Sequence, residues 1–459
     1  MTLNAEHLDR ADDPAAAQAY LAAATAQVDQ YRYEMARKLI ERGLEIAADK
    51  ADRYALMCFH GQILHDLGSA SDSIDAYERA LEFAVNDEMT CRALIGLAAG
   101  MRIVDRFDEA LEALDKAEAI ASGHGLTSEL AQLHHLRGNL YFPLGNLDGC
   151  LEQHELALNY ARQIGSTENE ARALGGLGDA YYSRGQMKTA FDHFRQCVEL
   201  CRQHGYGGIE VSNRYMVAWT QLYQNEVRSA LDEALAACEA AARVSHHRAE
   251  IVARLSAGRV LYEMGDIVEA REQLENGLRL VDEIGATRFE AFLLIYLSRI
   301  VLAETGNRTE ALKMINRAVD VSRKTGITFL GPWVLSTLAL LTDNPEERRN
   351  ALNEGEQILR EGCVGHNYFA FYRDAMEVAL AETDWDALDR SAASLEEYTR
   401  SEPLPWADLF IARGRALSSY GRGKRDEATM KELSRLRDEA DRVGLKNAIT
   451  ALDQALVAA

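Results

Sequence analysis

A short pattern recurs along this chain of 459 residues and restricts the folds open to it. In most repeats a glycine or alanine is followed twelve residues later by a second small residue, as in Gly178 and Ala190. We call the second residue the anchor of its repeat. The anchors are Ala36, Ser73, Ala110, Cys150, Ala190, Ala230, Ala270, Ala311, Ala351, Ala387 and Ala428. Successive anchors lie 36 to 41 residues apart, a period typical of stacked repeats rather than of one globular core.

Small residues at this spacing predict pairs of antiparallel helices that approach each other closely. The small residues twelve positions before an anchor are Gly61, Ala98, Gly138, Gly178, Ala218, Gly258 and Ala339. Between the two, glycines such as Gly185 and Gly265 fit the left-handed conformation that ends a helix. One pair cannot bury its apolar face alone, so neighbouring pairs stack. The sequence therefore predicts an all-α, tetratricopeptide-like helix-pair solenoid, a right-handed superhelix of about eleven repeats of ~37–41 residues.

The regularity of the pattern changes along the chain and suggests three segments. Residues 1–12 are predicted to be an N-terminal leader, and residues 13–330 to form the regular repeats 1 to 8. Residues 331–459 would hold the less regular repeats 9 to 11 and a capping helix near 445–457. Repeat 8 is already imperfect, because Arg299 stands where the first small residue belongs. We expect Pro332, Pro345 and Pro405 to lie at helix starts.

The net charge and the cysteines indicate which classes of partner and which cellular compartment are compatible with this chain. The net charge of −22 would repel nucleic acid, and no basic stripe is long enough to override it. No segment is sufficiently apolar for a membrane partner. The seven cysteines form no CxxC pair, and we interpret them as reduced packing residues. The predicted localisation is cytoplasmic.

Sequence motifs for catalysis, cofactors or metals are missing. No phosphate-binding loop, HExxH motif or calcium loop occurs. Cys197 and Cys201 stand four residues apart and could hold a metal with His193 or His204, although Cys197 also fits the small packing position of its repeat. We favour the packing role. The prediction is a chain with no catalytic residues, no cofactor and no metal.

A stripe of side chains on the first helix of each central pair escapes the predicted core. Such first helices line the concave face of a solenoid, so this stripe is our candidate binding groove. Its members are His135, Asn139, Phe142, Arg172, Asp179, Tyr182, Tyr215, Trp219, Arg259 and Tyr262. Aromatic residues and arginine often anchor interfaces. The alternative is that individual rings pack against adjacent repeats.

Several longer phrases resemble a known family. They are HHLRGNLYFPLGN at 134–146, GIEVSN at 208–213, MVAWT at 216–220, FLGPW at 329–333, CVGHNYFAFYRD at 363–374 and EPLPWADLFIARGRA at 402–416. These phrases resemble the C-terminal repeat region of bacterial class III adenylate cyclase-like proteins, in which a cyclase domain and a signal-transduction ATPase precede the repeats. The chain is also distantly similar to the sensor array of the bacterial maltose-regulon activator, which binds a sugar.

The resemblance implies a regulatory role rather than an enzyme. Neither the cyclase nor the ATPase part has a counterpart in these 459 residues, so any such activity would lie in a domain absent from this chain. We expect a non-catalytic scaffold for a protein or peptide in the concave groove, in signalling, with a linked or separate cyclase or ATPase domain as one candidate partner. The alternative hypothesis is a sensor of a small metabolite or sugar that binds the same groove.

Overall fold

The structure, a computed structural model, describes residues 1–28, 30–244 and 246–457. Within these residues the chain forms 24 α-helices, α1 to α24, and three short 3-10 segments, with no β-strand. It divides into two compact units, Met1–Gly176 and Leu177–Ala459. The predicted all-α fold of helix pairs is confirmed.

The helices of the first part of the chain are α1 Thr2–Arg10, α2 Ala16–Val28, α3 Tyr33–Ile46, α4 Lys50–Asp66, α5 Ala70–Phe83, α6 Asp87–Ile103, α7 Phe107–His124, α8 Thr127–Tyr141, α9 Leu147–Gln163 and α10 Thr167–Ser183. Those that follow are α11 Met187–His204, α12 Gly207–Gln221, α13 Val227–Arg243, α14 His247–Met264, α15 Ile267–Ile284, α16 Glu290–Thr305 and α17 Arg308–Thr325. The last are α18 Ile327–Leu341, α19 Pro345–Glu361, α20 His366–Glu382, α21 Trp385–Thr399, α22 Pro405–Gly421, α23 Glu427–Val443 and α24 Thr450–Val457. The 3-10 segments are Leu222–Gln224, Thr287–Phe289 and Lys446–Ala448.

Helices α2 to α23 form eleven consecutive pairs, which agrees with the eleven repeats expected from the anchors. One helix precedes the pairs and one follows them. The segment predicted to be a leader is mostly helical, since α1 covers residues 2–10. Asp9 of α1 accepts a hydrogen bond from Tyr20 and pairs with Arg42 at 2.8 Å. The predicted cap corresponds to α24 and the 3-10 turn before it. The predicted subdivision at 330/331 stays a prediction.

The anchors occupy one structural position in the first eight pairs. Each lies in the second helix, four residues after the residue that caps its start, and each is fully buried. The last two anchor assignments are wrong. Ala387 is only half-buried and Ala428 is exposed, whereas their neighbours Leu388 and Thr429 are buried. In these two repeats the anchor lies closer to the helix start, since Ala387 is three residues after the capping residue Asp384 and Ala428 is two residues after Asp426.

The first-helix glycines make room for a large side chain from the second helix. A Cβ atom added to Gly178 would lie 2.6 Å from the ring of Phe194, which stands one turn beyond the anchor Ala190. The same spacing of sixteen residues joins Gly61 to Tyr77, Gly138 to His154 and Gly258 to Leu274. In the second repeat the anchor also contacts its small partner, because Ser73 Oγ donates a hydrogen bond to the carbonyl of Gly61 at 2.7 Å. The predicted close approach is therefore present, with the large residue as the main occupant.

Helix boundaries agree with the local sequence at most of the expected places. Gly185 and Gly265 adopt φ angles of 79° and 82°, as a left-handed helix end requires. Pro345 and Pro405 begin α19 and α22. Pro332 does not begin a helix, because α18 starts five residues earlier, at Ile327. Within the described ranges no helix combines the length and the apolar character needed to cross a membrane.

We predict that filling the slot at Gly178 destabilises the second compact unit. Gly178→Leu and Ala190→Leu should each lower the free energy of unfolding in urea by about 3 kcal/mol, at the upper end of the cost of overpacking. Gly208→Leu is the matched control, since Gly208 lies on α12 with open space around its Cβ position. Equal stability of Gly178→Leu and Gly208→Leu would show that the slot is not a close contact.

Candidate functional site

The first compact unit holds four residues of the predicted stripe, and all of them retain some solvent exposure. His135 and Asn139 are half-buried on α8, and the Asn139 amide Nδ2 lies 3.0 Å from His135 Nε2. Phe142 is half-buried just beyond the end of α8. Arg172 is exposed on α10 and pairs with Glu168 one turn earlier at 2.9 Å. These side chains present a polar surface with one aromatic ring.

A fully buried histidine lies beside this stripe. His154 fills the slot at Gly138, and a Cβ atom added to Gly176 would also clash with its ring. Its ring centroid is 5.3 Å from that of His135, and neither of its nitrogens has a hydrogen-bond partner. Burial lowers the pKa of His154 to about 3. Burial, with the nearby His154 and arginines, also holds the pKa of His135 well below its usual value.

The second compact unit holds the other six residues, and three of them are not on an open face. Asp179, Tyr215 and Tyr262 are half-buried. Tyr182, Trp219 and Arg259 are only 6%, 3% and 4% exposed. The sequence analysis placed these three in an open groove. They lie on the predicted helix face, but side chains from α16, α18 and α20 cover that face.

Arg259 lies inside a group of aromatic rings, which we call the arginine cluster: Trp219, Tyr223, Arg259 and Trp333. The guanidinium carbon is 4.3 Å from the Trp219 ring centroid, 4.7 Å from that of Tyr223 and 5.7 Å from that of Trp333. Cation–π attraction in such a desolvated setting stabilises the charge by about 2 kcal/mol. The Nε and Nη1 groups of Arg259 have no hydrogen-bond partner, and neither does Trp333 Nε1.

Tyr182 connects the cluster to a buried histidine. The Tyr182 hydroxyl lies 2.6 Å from His366 Nδ1, and His366 Nε2 lies 2.6 Å from the carbonyl oxygen of Phe329. A carbonyl only accepts, so Nε2 carries the proton and Nδ1 accepts from the tyrosine. Burial lowers the pKa of His366 to about 3, although the carbonyl of Phe329 opposes this shift. The imidazole is therefore neutral at physiological pH.

Buried ion pairs surround the arginine cluster. Arg299 donates to Asp374, with Nη1 3.1 Å from Oδ1, and Asp374 also accepts from Ser336. Arg373 binds Glu263 and lies 3.4 Å from Asp374. The arginine that interrupts the pattern of repeat 8 is thus half of a buried ion pair. Removing one member of such a pair costs about 3–5 kcal/mol, because the other charge stays buried.

Polar contacts in the second compact unit join the end of α10 and the start of α11 to later segments of the chain. The Glu402 carboxylate accepts hydrogen bonds from the backbone N–H groups of Lys188 and Thr189 at 2.8 and 3.2 Å. It therefore caps the start of α11 from a distant part of the sequence, where a negative charge is favourable. The amide of Gly365 donates to the carbonyl of Ser183 at 2.8 Å. We call these contacts the rim contacts.

Sequence reasoning missed most of the residues that surround Arg259. Tyr223 and Glu263 stand four residues after Trp219 and Arg259, so one more turn of the same stripe would have included them. The sequence analysis included Trp333 and His366 only as members of the phrases that resemble the cyclase-like family. Nothing in a single sequence indicates that their helices cover the stripe. In the described part of the chain, no group of three or more His, Cys, Asp or Glu residues could hold a metal ion.

The helix pairs and their inner face define a tetratricopeptide-type repeat array. The family model described as the MalT-like TPR region matches residues 55–362. The chain therefore belongs to the MalT-like TPR region family. This agrees with the resemblance to the maltose-regulon activator, whereas the cyclase-like affiliation stays a prediction.

Solved structures are similar in fold at low sequence identity. A Rap protein complexed with competence and sporulation factor has a TM-score of 0.53 and 14% identity, covering 81% of this chain and 99% of that one. A signal-transduction ATPase with a tetratricopeptide repeat sensor from Pyrococcus horikoshii has a TM-score of 0.47 and 14% identity, covering 68% and 48%. The apo quorum sensor NprR from B. thuringiensis has a TM-score of 0.48 and 14% identity, covering 75% and 97%. These similarities concern the fold alone.

One curated relative shares a short segment. Outer dynein arm-docking complex subunit 4 of Danio rerio is 32% identical over 81 residues, which is 18% of this chain. The match spans only 16% of the length of that relative. Its extent is about that of two repeats, so it is a similarity between repeats rather than between whole proteins.

We predict that His154 makes the first compact unit sensitive to acid. Its folded-state pKa of about 3 lies below the ordinary histidine value of 6.5, so the unfolded state binds more protons between these values. The contribution of His154 to the free energy of unfolding is therefore complete above pH ~6.5. It falls as the pH is lowered, and at pH 5 the protein has lost about 2 kcal/mol through this residue.

The variant His154→Phe tests this, since Phe194 is the residue at the same position of the next repeat. It should match or exceed the stability of the wild type at pH 7.5, and it should lose less stability between pH 7.5 and 5. Urea unfolding at both pH values measures the difference. The control is His124→Phe, which changes an exposed histidine at the end of α7. Equal acid sensitivity of the wild type and His154→Phe would contradict the prediction.

Proposed function

We propose that this chain is a non-catalytic array that binds a protein or peptide along the inner helix faces and serves a regulatory role in signalling. The observation that carries the proposal is the run of half-exposed aromatic and polar side chains along the stripe in both compact units. The fold supports it, since the similar Rap protein was crystallised with competence and sporulation factor bound. That ligand belongs to the Rap protein, and here it indicates only a class of partner.

The accessible part of the stripe is where a partner would first make contact. In the first compact unit this part comprises His135, Asn139, Phe142 and Arg172, and in the second Asp179, Tyr215 and Tyr262. Tyr182, Trp219 and Arg259 would contribute only after the inner face opens. Tyrosine supplies a large contact area at low entropic cost and favours interface positions.

We propose the class of partner and the cellular compartment from the composition of the chain and from its resemblance to the cyclase-like family. A separate or covalently linked cyclase or ATPase domain is a candidate partner, because the resembling proteins combine such domains with repeats. The net charge of −22 disfavours nucleic acid. The buried thiols of six of the seven cysteines fit a reducing compartment such as the cytoplasm.

Partner capture from the native host tests the proposal. We expect Tyr215→Ala combined with Tyr262→Ala, and separately His135→Ala combined with Arg172→Ala, to reduce recovery of a bound protein at least tenfold. Tyr181→Ala is the matched control, since Tyr181 is half-buried off the stripe and stacks on His193. Circular dichroism would verify folding of each variant. Undiminished recovery with both double variants would place binding elsewhere or contradict the proposal.

The arginine cluster favours a second candidate function, a sensor of a small metabolite or sugar. Arg259 and Trp333 carry buried donors without acceptors in the protein, and a polar ligand could accept hydrogen bonds from them. A metabolite present at a hundred times its dissociation constant should stabilise the protein by ~2.7 kcal/mol. A thermal-shift screen of sugars, nucleotides and amino acids measures this. The absence of any shift across these classes would contradict the sensor function.

A further inference from the structure

Two of the three buried arginines in and beside the arginine cluster form ion pairs, and Arg259 does not. Arg299 and Arg373 bind the carboxylates of Asp374 and Glu263. In the described ranges no carboxylate forms an ion pair with Arg259, which is only 4% exposed, although the Glu263 charge and the Tyr223 hydroxyl act on it. A buried cation with two N–H groups left without acceptors is costly even with cation–π contacts. The side chain is therefore suited to an anion that enters the cluster.

The buried atoms without hydrogen-bond partners indicate which chemical groups that anion must carry. Arg259 Nε and Nη1 and Trp333 Nε1 are donors without acceptors, whereas Glu263 Oε2 is an acceptor without a donor. Arg259 and Glu263 are one helical turn apart on α14, so their side chains lie on the same helix face. A guanidinium offers a fork of parallel N–H groups that matches a carboxylate. A ligand with a carboxylate next to an N–H donor would satisfy both residues.

We infer that the arginine cluster binds the carboxylate of an α-amino acid or of a peptide C-terminus, with the adjacent N–H directed to Glu263. The carboxylate would lie against Arg259 Nε and Nη1, beside Trp333 Nε1. A free amino acid and a peptide end share this chemistry. The inference rests on the proposed ligand-binding function of the inner face and specifies which ligand class it accepts.

Access to the cluster requires the inner face to open, and the rim contacts are the elements that would separate. They are polar contacts made by Glu402 and Gly365, and water can replace them more easily than apolar packing. A ligand that binds only the open state has an apparent affinity reduced by the fraction of molecules that are closed. Weakening the rim contacts therefore raises the apparent affinity.

The test uses the full chain and measures thermal unfolding by circular dichroism. The probes are the twenty common L-amino acids, one at a time, and a mixed-sequence hexapeptide pool with free C-terminal carboxyl groups. The same pool with amidated C-termini is the neutral control. We expect at least one probe with a free carboxyl group to raise the Tm of the wild type, and the amidated pool to have no effect. A response to an amino acid identifies a free metabolite, and a response to the pool alone identifies a peptide end.

Variants test whether the active probe binds at the arginine cluster. Arg259→Met should weaken binding of the active probe at least tenfold, whereas Arg279→Met, which changes an exposed arginine on α15, should bind like the wild type. Trp333→Phe keeps an aromatic ring at this position and removes the unpartnered N–H together with the five-membered ring of the indole, so a loss of threefold or more is expected even if Arg259→Met does not fold. Glu402→Gln should raise the affinity.

The inference is overturned if no probe raises the Tm of the wild type. It is equally overturned if the amidated pool acts as strongly as the free acid, or if both Arg259→Met and Trp333→Phe bind as the wild type does. An affinity of Glu402→Gln no higher than that of the wild type would contradict the access route. Partner capture through Tyr215 and Tyr262 is measured independently, so it can persist when the carboxylate inference fails.

Discussion

The fit of one large side chain into the slot left by a glycine holds the helix pairs together. Phe194 fills the slot at Gly178, and Tyr77 does the same at Gly61. Interiors are packed as densely as organic crystals, so the distance between paired helices is set by what occupies this slot. The buried anchor permits the approach, and the large residue one turn later fills the space that the approach creates. Repetition of this contact about every forty residues produces the array.

The second compact unit adds a different interaction to this steric framework. Arg299 occupies a position where the repeat would place a small residue, and it is accommodated because Asp374 of α20 neutralises it. Apolar residues of similar volume would often be equally stable or more stable than such a buried pair. Repeats with charged interiors therefore give up some stability and gain a specific arrangement of donors and acceptors. The arginine cluster lies within that arrangement.

Exposure divides the stripe into two kinds of position. Arg172 and Tyr215 keep a solvent-accessible surface, and a partner can reach them without rearrangement. Trp219 and Arg259 are covered by later helices, so the ligand that we propose would reach them only after contacts such as the Glu402 cap of α11 separate.

The sequence by itself determined the local structure and its period. Small residues at a fixed spacing require close helix pairs, and glycines such as Gly185 end helices because of their own backbone freedom, so both can be recognised without knowing distant contacts. The helix face that carries Tyr182 was also predictable from spacing. Only the tertiary structure decided that this face is covered, because His366 of α20, which contacts Tyr182, is 184 residues further along the chain. No period in the sequence encodes which distant helices meet, so the burial of Arg259 and its unsatisfied charge followed from the packing of the whole compact unit.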